Sequence, residues 1–309
     1  MLGSAGTFGT AALELPSLSD TTIVVTSDLR NFSGLDRFAQ RYPDRFFNVG
    51  IAEQNMVNFA AGFASEGFNV YATTYATFAT ARSADSVRVN MGYMGMNVKL
   101  FGLGAGFSVG ALGPTHISVE DISIARSIPN LTVISPADCI EAFRAVTELA
   151  KFDGPAYIRL GGNVPHSVIY ESDYDFQIGK AVTLREGKDV AIVGTGSVLG
   201  EALSAAEQLE KDMISVGVYN MHTVKPLDVD KLQEVARSSS LIVTLEEHTV
   251  RGGLGSAVLE ELSNLGLSVP SLMLGISDYF PHAGSYPMLL DQAGLSSSKI
   301  ISAIRTKLG

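Results

Sequence analysis

"DRFFNVGIAEQNMVNFAAGFASEG", residues 44–67, places one carboxylate, Glu53, where an apolar strand runs into an apolar helix. The helix positions Met56, Val57, Phe59, Ala60 and Phe63 cover more than one face, so burial on most sides is expected. A glutamate in a first helical turn is favoured by the helix dipole, an effect worth about 0.3–1 kcal/mol. That accounts for the charge but not for its apolar setting. With Ile51 and Ala52 before it, the carboxyl is expected to be desolvated and suited to sharing a proton with a ligand nitrogen.

Outward from this junction, short β-branched runs alternate with longer alanine-rich segments, the pattern of βα units around a parallel sheet. Strands are expected at Thr22–Thr26, Asn69–Thr73, Asn97–Gly102, Leu131–Ser135 and Ala156–Leu160. The polar stretch "GGNVPHSVIYESDYDFQIGK", residues 161–180, lacks sustained periodicity and reads as a linker. Beyond it a second series begins with "DVAIVG", "ISVGVYN", "SLIVTLEE" and "SVPSLMLGI". The expected fold class is therefore α/β, with a parallel-sheet domain over residues 15–165 and a smaller α/β domain over 180–309.

Composition narrows the function classes. The 309 residues are 46% apolar and 17% charged, as in a large globular enzyme. A net charge of -10 and the lack of any basic run argue against a nucleic-acid surface. The single cysteine, Cys139, calls for no oxidising compartment, and no apolar stretch reaches the roughly 20 residues of a membrane span. The start "MLGSAGTFGTAALEL" lacks the basic region of a signal peptide, so a cytoplasmic address is expected.

Two glycine motifs invite a nucleotide reading. "GTGSVLG", Gly194–Gly200, follows a strand, but its last two glycines are three residues apart where the dinucleotide fingerprint has two. The next strand ends at Asn220 rather than at an acidic residue, so a tight βα turn is the preferred reading. "RGGLGSAV", residues 251–258, reads as a loop entering a helix, with Ser256 as its cap. The histidines at 116, 166, 222, 248 and 282 show no ligand spacing, and no metal site is expected on this chain.

The opening stretch, followed by "YATTYATFATARSADSVR" and "GPTHISVEDISIARSIPNLTVISPAD", resembles the pyrimidine-binding domain of the thiamine-diphosphate transketolase family. "MHTVKPLD" and "VTLEEHTVRGGLGSAVLEEL" are similar to that family's C-terminal domain. The resemblance covers nearly the whole chain from about Leu15. It is nearest to the C-terminal subunit of split transketolases and is shared with deoxyxylulose-phosphate synthases. Pairing of "IAEQ" with "GPTH" favours these branches over the beta subunits of 2-oxo acid dehydrogenases, which remain an alternative.

The resemblance implies roles for particular residues. Glu53 would hydrogen-bond a ring nitrogen of the cofactor's aminopyrimidine, favouring the imino form that removes the thiazolium proton. Tyr75 and Phe78 would pack against the aminopyrimidine, although aromatics at this spacing are more often ordinary core. Asp28 of "TSDL" matches an acidic residue near the cofactor at the subunit interface, and otherwise reads as a strand-end turn residue. His116 of "GPTH" would face the substrate's oxygens. The implied activity is transfer of a two-carbon ketol or acyl unit to an aldehyde.

The family holds the diphosphate and its Mg2+ through a "GDG" motif and a following asparagine, and no "GDG" occurs in these 309 residues. The expectation is that this chain takes the pyrimidine half of thiamine diphosphate. An N-terminal diphosphate-binding partner subunit would carry Mg2+, in an assembly with two copies of each chain. A non-catalytic stabilising or regulatory subunit is the competing reading. Three departures concern substrate. Leu112, Gly104 and Gly162 stand where many transketolases carry an acidic residue, a histidine and a phosphate-holding arginine. Substrates other than the usual sugar phosphates are therefore expected, with a 2-oxo acid or an unusual ketose as donor. Arg159 is near in sequence, but on a strand its side chain can point elsewhere; the alternative is that the partner subunit supplies a compensating cation.

Overall fold

A computed structural model describes residues 3–162, 167–171 and 174–309. Its first sheet is built from β1 (Thr22–Thr26), β2 (Phe46–Asn48), β3 (Asn69–Tyr75), β4 (Val98–Leu103), β5 (Thr132–Ile134) and β6 (Ala156–Arg159). These strands are parallel, and every residue of β1 and β4 is buried. Burial on both faces explains why they read as continuous apolar runs rather than as alternating ones. The second sheet contains β7 (Val182–Arg185), β8 (Val190–Thr195), β9 (Val216–Asn220), β11 (Leu241–Thr249) and β12 (Ser271–Ile276). Its order is β12-β11-β8-β9-β7, with only β7 antiparallel. The molecule is thus α/β, with two sheets in the expected succession.

β10 (Thr223–Lys225) departs from a clean division. It lies beyond β9 in the chain yet pairs antiparallel with β5, giving the first sheet the order β10-β5-β6-β4-β3-β1-β2. Three residues ending before Pro226 leave little periodicity to read, and the partner strand is some ninety residues away. The N-terminal segment likewise forms a helix, Ser4–Ala12, that packs Phe8 on Phe101 at 4.3 Å between ring centroids. On another side the helix meets the backbone of residues 33–34, an approach that Gly9 permits, since a Cβ there would lie 2.2 Å from the Gly34 carbonyl oxygen.

The polar stretch after Gly161 contains no strand or helix among its described residues, but it is anchored. The boundary expected at residue 165 falls outside the described residues. Asp138 caps the helix Cys139–Glu148 through the amide of Glu141, and its other oxygen accepts from the amides of Ile169 and Tyr170 at 2.9 and 3.0 Å. Glu141, fully buried, accepts from the hydroxyls of Tyr170 and Tyr174 and from the Asn220 amide. One carboxylate therefore joins both domains to the segment between them.

The turn from β9 to β10 buries His222, whose carbonyl accepts from the Ser135 amide of the first domain at 2.7 Å. Burial pushes His222 down to about 4, and does the same to the fully enclosed His248. Both groups stay neutral in the folded chain, whereas an unfolded histidine titrates near its usual 6.5. As pH falls from about 6.5 towards 4, the unfolded state takes up protons that the folded state refuses, so stability is lost through that window. Denaturant unfolding should show His222→Gln losing less stability than wild type between pH 7 and 4.5, by on the order of 2 kcal/mol. Parallel curves would contradict a neutral, buried His222.

Candidate active site

The expected site residues lie at the carboxyl ends of the strands of the first sheet, where ligands of open α/β sheets bind. After β2 the chain turns through Gly50, at φ 76°, and the helix Glu53–Ser65 begins. Ser27, just past β1, ties this turn down: its hydroxyl donates to the Gly50 carbonyl at 2.7 Å and accepts from the Ala52 amide at 3.0 Å. Glu53 consequently enters the helix 5% exposed. The helix is less enclosed than its sequence suggested. Gln54, Asn55, Asn58, Phe59 and Gly62 share an exposed stripe, and Ile51 is 77% exposed rather than shielding the carboxyl. Apolar character here marks an open face of the single chain as well as a core.

β3 ends at Tyr75 and runs into π-helical turns at Phe78–Arg82 and Val87–Tyr93, a geometry common at functional sites. Tyr75, Phe78 and His116 form one aromatic cluster, with ring centroids 5.3–6.0 Å apart and steep interplanar angles. His116 arrives there after Gly113, which adopts φ 75° and whose carbonyl accepts from the His116 amide at 3.0 Å. Its Nδ1 lies 3.0 Å from the Thr115 hydroxyl. Phe32 adds a ring 5.1 Å from Tyr75.

Arg82 links Glu53 to this cluster. Its Nη1 donates to Glu53 Oε1 at 2.8 Å, and its guanidinium carbon lies 3.8 Å from the centroid of the Phe78 ring. Nothing in the sequence reading had singled it out; the available signal was an arginine four residues after Phe78, one helical turn away. Asp28 stands apart. It takes φ 59° at the end of β1, is exposed, and exchanges hydrogen bonds with Asn48, its amide donating to Asn48 Oδ1 at 3.1 Å. Among the described residues no hydrogen bond joins it to the aromatic cluster.

A thiamine diphosphate pyrimidine would need two things here: a flat aromatic surface and a buried carboxyl that can share a proton with a ring nitrogen. The Arg82 guanidinium, itself planar and a donor, meets both at once by lying over Phe78 and bonding Glu53. The residues present therefore fit the pyrimidine. For Gly194–Gly200 the plain turn is supported. Gly196 faces Ser135 and Arg159, and the Ser197 hydroxyl donates to Glu247 Oε2 at 3.2 Å, so protein fills the space beside the glycines. At the other glycine loop, the amides of Leu254 and Gly255 donate to Glu246 at 2.7 and 2.8 Å, so a carboxylate covers that helix start. Ser256, expected to cap it, instead accepts from the Gly252 amide.

The pair Arg82–Glu53 has one buried and one half-exposed partner, with Arg82 45% exposed, so water screens part of the attraction. A double-mutant cycle of Arg82→Ala and Glu53→Gln should give a coupling of roughly 1 kcal/mol in unfolding free energy. A coupling indistinguishable from zero would mean that the pair does not hold the cluster together.

Comparison with known proteins identifies the family. The family model "Transketolase, pyrimidine binding domain" matches residues 5–163, and "Transketolase, C-terminal domain" matches 179–300. A transketolase family protein of Sinorhizobium fredii is 40% identical over 301 residues, covering 96% of this chain and 87% of its own. A subunit of a 6-deoxy-6-sulfo-D-fructose transketolase from a Clostridium species is 38% identical, covering 94% and 90%. The solved structure titled "Split gene transketolase, inactive beta4 tetramer" superposes with a TM-score of 0.92 at 36% identity, over 100% of this chain and 99% of that one. With curated 1-deoxy-D-xylulose-5-phosphate synthases such as that of Thioalkalivibrio sulfidiphilus, at 38% identity, the chain aligns with 46% of their length. The chain belongs to the transketolase family and carries its pyrimidine-binding and C-terminal domains.

Proposed function

We propose that this chain is the pyrimidine-binding subunit of a thiamine-diphosphate enzyme that transfers a two-carbon ketol or acyl unit to an aldehyde. The observation that carries the reading is the Arg82 guanidinium lying over Phe78 and bonded to Glu53, which sets a ring surface and a buried carboxylate side by side. Thiamine diphosphate, when bound, supplies the nucleophilic carbon and the electron sink for the transfer. This chain's residues orient and protonate. Glu53 holds a proton against the pyrimidine nitrogen, Phe78 and Tyr75 offer ring surface, and His116 faces the substrate's oxygens. Asp28, on the exposed rim, lies towards the partner subunit.

The diphosphate and Mg2+ belong, in this reading, to an N-terminal partner chain, two copies of each chain forming the active assembly. Supporting it are the missing "GDG" motif and the exposed apolar residues Ile51, just before the helix Glu53–Ser65, and Tyr93 and Met94, at the end of the turn Val87–Tyr93. Relatives named as a subunit and as a transketolase C-terminal section have lengths that this chain covers by 90% and 95%. We divide the chain at residues 15–165 and 180–309, with β10 reaching back across that division. No helix among the described residues is long and apolar enough to cross a membrane, and we place the enzyme in the cytoplasm.

Substrate class follows from the charges near the site. Arg159 donates from Nε to Asp121 at 2.9 Å and is spent inside the protein. A cavity of about 300 Å³ beside Tyr75, lined by Phe32, Phe107, Val109 and Leu112 among others, has no lysine or arginine in its wall. Gly104 and Gly162 leave no room to add one cheaply, since a Cβ would meet Val109 at 2.9 Å and Ser108 at 3.2 Å. We therefore propose an unphosphorylated aldehyde as acceptor; the proposed donor, a 2-oxo acid or an unusual ketose, rests on the departures at Leu112, Gly104 and Gly162 and not on this uncharged wall.

Two measurements on the complex reconstituted with the diphosphate-binding partner test these readings. Glu53→Gln keeps the side chain's shape but loses the exchangeable proton, and turnover should fall by roughly 10²- to 10⁴-fold with assembly intact. Near-normal turnover would mean that Glu53 is not the group acting on the pyrimidine. In kcat/KM comparisons of matched aldehydes, the phosphorylated form should hold no advantage. A preference for it of more than about tenfold, equivalent to about 1.4 kcal/mol, would overturn the substrate assignment.

A further inference from the structure

Glu247, on β11 of the C-terminal domain, is 3% exposed and reaches into the first domain. Its Oε1 accepts from the backbone amide of Phe107 at 2.6 Å, while Oε2 accepts from the Tyr286 hydroxyl at 2.7 Å and the Ser197 hydroxyl at 3.2 Å. Phe107 sits in the segment 104–113, which leaves β4, lines the cavity beside Tyr75 and delivers the chain to His116. The contact requires glycine before Phe107. Gly106 adopts φ 61°, and a Cβ there would lie 2.1 Å from Glu247 Oε1.

The same segment is held from its other side. The Gly106 amide donates to the Ser118 carbonyl at 2.8 Å, and the Gly284 amide of the C-terminal domain donates to the Gly110 carbonyl at 3.1 Å. Gly104 brings its backbone close to Tyr75, where a Cβ would be 3.1 Å from the ring. A carboxylate that accepts three donors and has almost no water contact cannot shift without leaving a buried polar group unpaired, at a cost of about 1–3 kcal/mol. Tyr286 is a dependable donor, because burial and the neighbouring Glu247 charge keep its phenol well above the ordinary range.

From this geometry we infer that Glu247 is a positioning residue: through the Phe107 amide it sets the segment 104–113, and with it the substrate-side wall between Tyr75 and His116. The C-terminal domain then contributes to substrate recognition without touching the cofactor. The catalytic part of this inference rests on the transferase reading above; the mechanical part does not.

Glu247→Gln tests both, because an amide keeps the volume but replaces one acceptor oxygen with a donor. Hydrogen exchange on the whole chain should show the amides of Gly106 and Phe107 exchanging at least about tenfold faster, while β8 and β9 keep their protection. Tyr286→Phe leaves the Phe107 bond in place and should produce a smaller change in the same direction. In the reconstituted complex, Glu247→Gln should raise KM for the aldehyde by about tenfold while kcat changes less than about threefold and thiamine diphosphate affinity holds. Unchanged exchange at 106–107, or protection lost equally across both sheets, would overturn the inference. If wild-type complex turns over none of the aldehydes offered, the transferase reading fails, and the exchange data still decide what Glu247 does.

Discussion

Arg159 and Asp121 form an ion pair sealed between the two domains, 7% and 0% exposed at the side chain. Two charges this deep are tolerable only when their hydrogen bonds are filled. Here they are. Asp121 accepts from Arg159 Nε and from the Tyr157 hydroxyl at 2.7 Å, and the guanidinium also donates to the carbonyls of Glu247 and Ser118 at 2.8 and 3.4 Å. Tyr157, held well above the usual phenol range by burial and by the Asp121 charge, remains a donor. The pair thereby fixes β6, the segment after His116 and β11 relative to one another. Removing either partner would leave the other charged and alone, which in comparable sites costs about 3–5 kcal/mol.

Within that frame the site uses the same economy of partners. Glu53, buried at a helix start, bonds a guanidinium whose central carbon lies over the Phe78 ring, so the aromatic surface and the carboxylate are presented together. Charge that the fold spends on its own joints is unavailable to substrate: Arg159 goes to Asp121, and Glu247 to Phe107, Tyr286 and Ser197. The wall of the cavity beside Tyr75 carries no lysine or arginine, and the half-exposed Arg82 of the neighbouring cluster is bonded to Glu53. This separation of structural and functional charge is the physical basis for the proposed substrate class.

Much of the fold was legible because parallel strands buried on both faces write themselves as apolar runs; Thr22–Thr26 coincides with its expected bounds and Asn69–Thr73 extends by two residues. β10 was not legible, since its three residues are ordered by a partner in the other domain. Likewise the stretch after Gly161 reads as a linker because its anchors, Asp138 and Glu141, lie elsewhere in sequence. Tyr75, Phe78 and His116 were named from a motif, and the structure places their rings in contact. Arg82 stands four residues after Phe78, a spacing that ordinary surface arginines share, and only its contact with the Phe78 ring and Glu53 sets it apart. Exposure of Ile51 and Phe59 was misread for a related reason: an apolar helix face can be covered by its own domain or left open for another chain.

We propose that this chain offers a site for the pyrimidine of thiamine diphosphate and none for its charged half. Calorimetric titration of thiamine diphosphate with Mg2+ into the chain alone, and into its mixture with the "GDG"-bearing partner, addresses this most directly. No saturable binding below millimolar concentration is expected for the chain alone, and the mixture should bind tightly and lose affinity when the Glu53→Ala variant replaces wild type. Micromolar binding by the isolated chain, or binding by the mixture that is indifferent to Glu53, would contradict it.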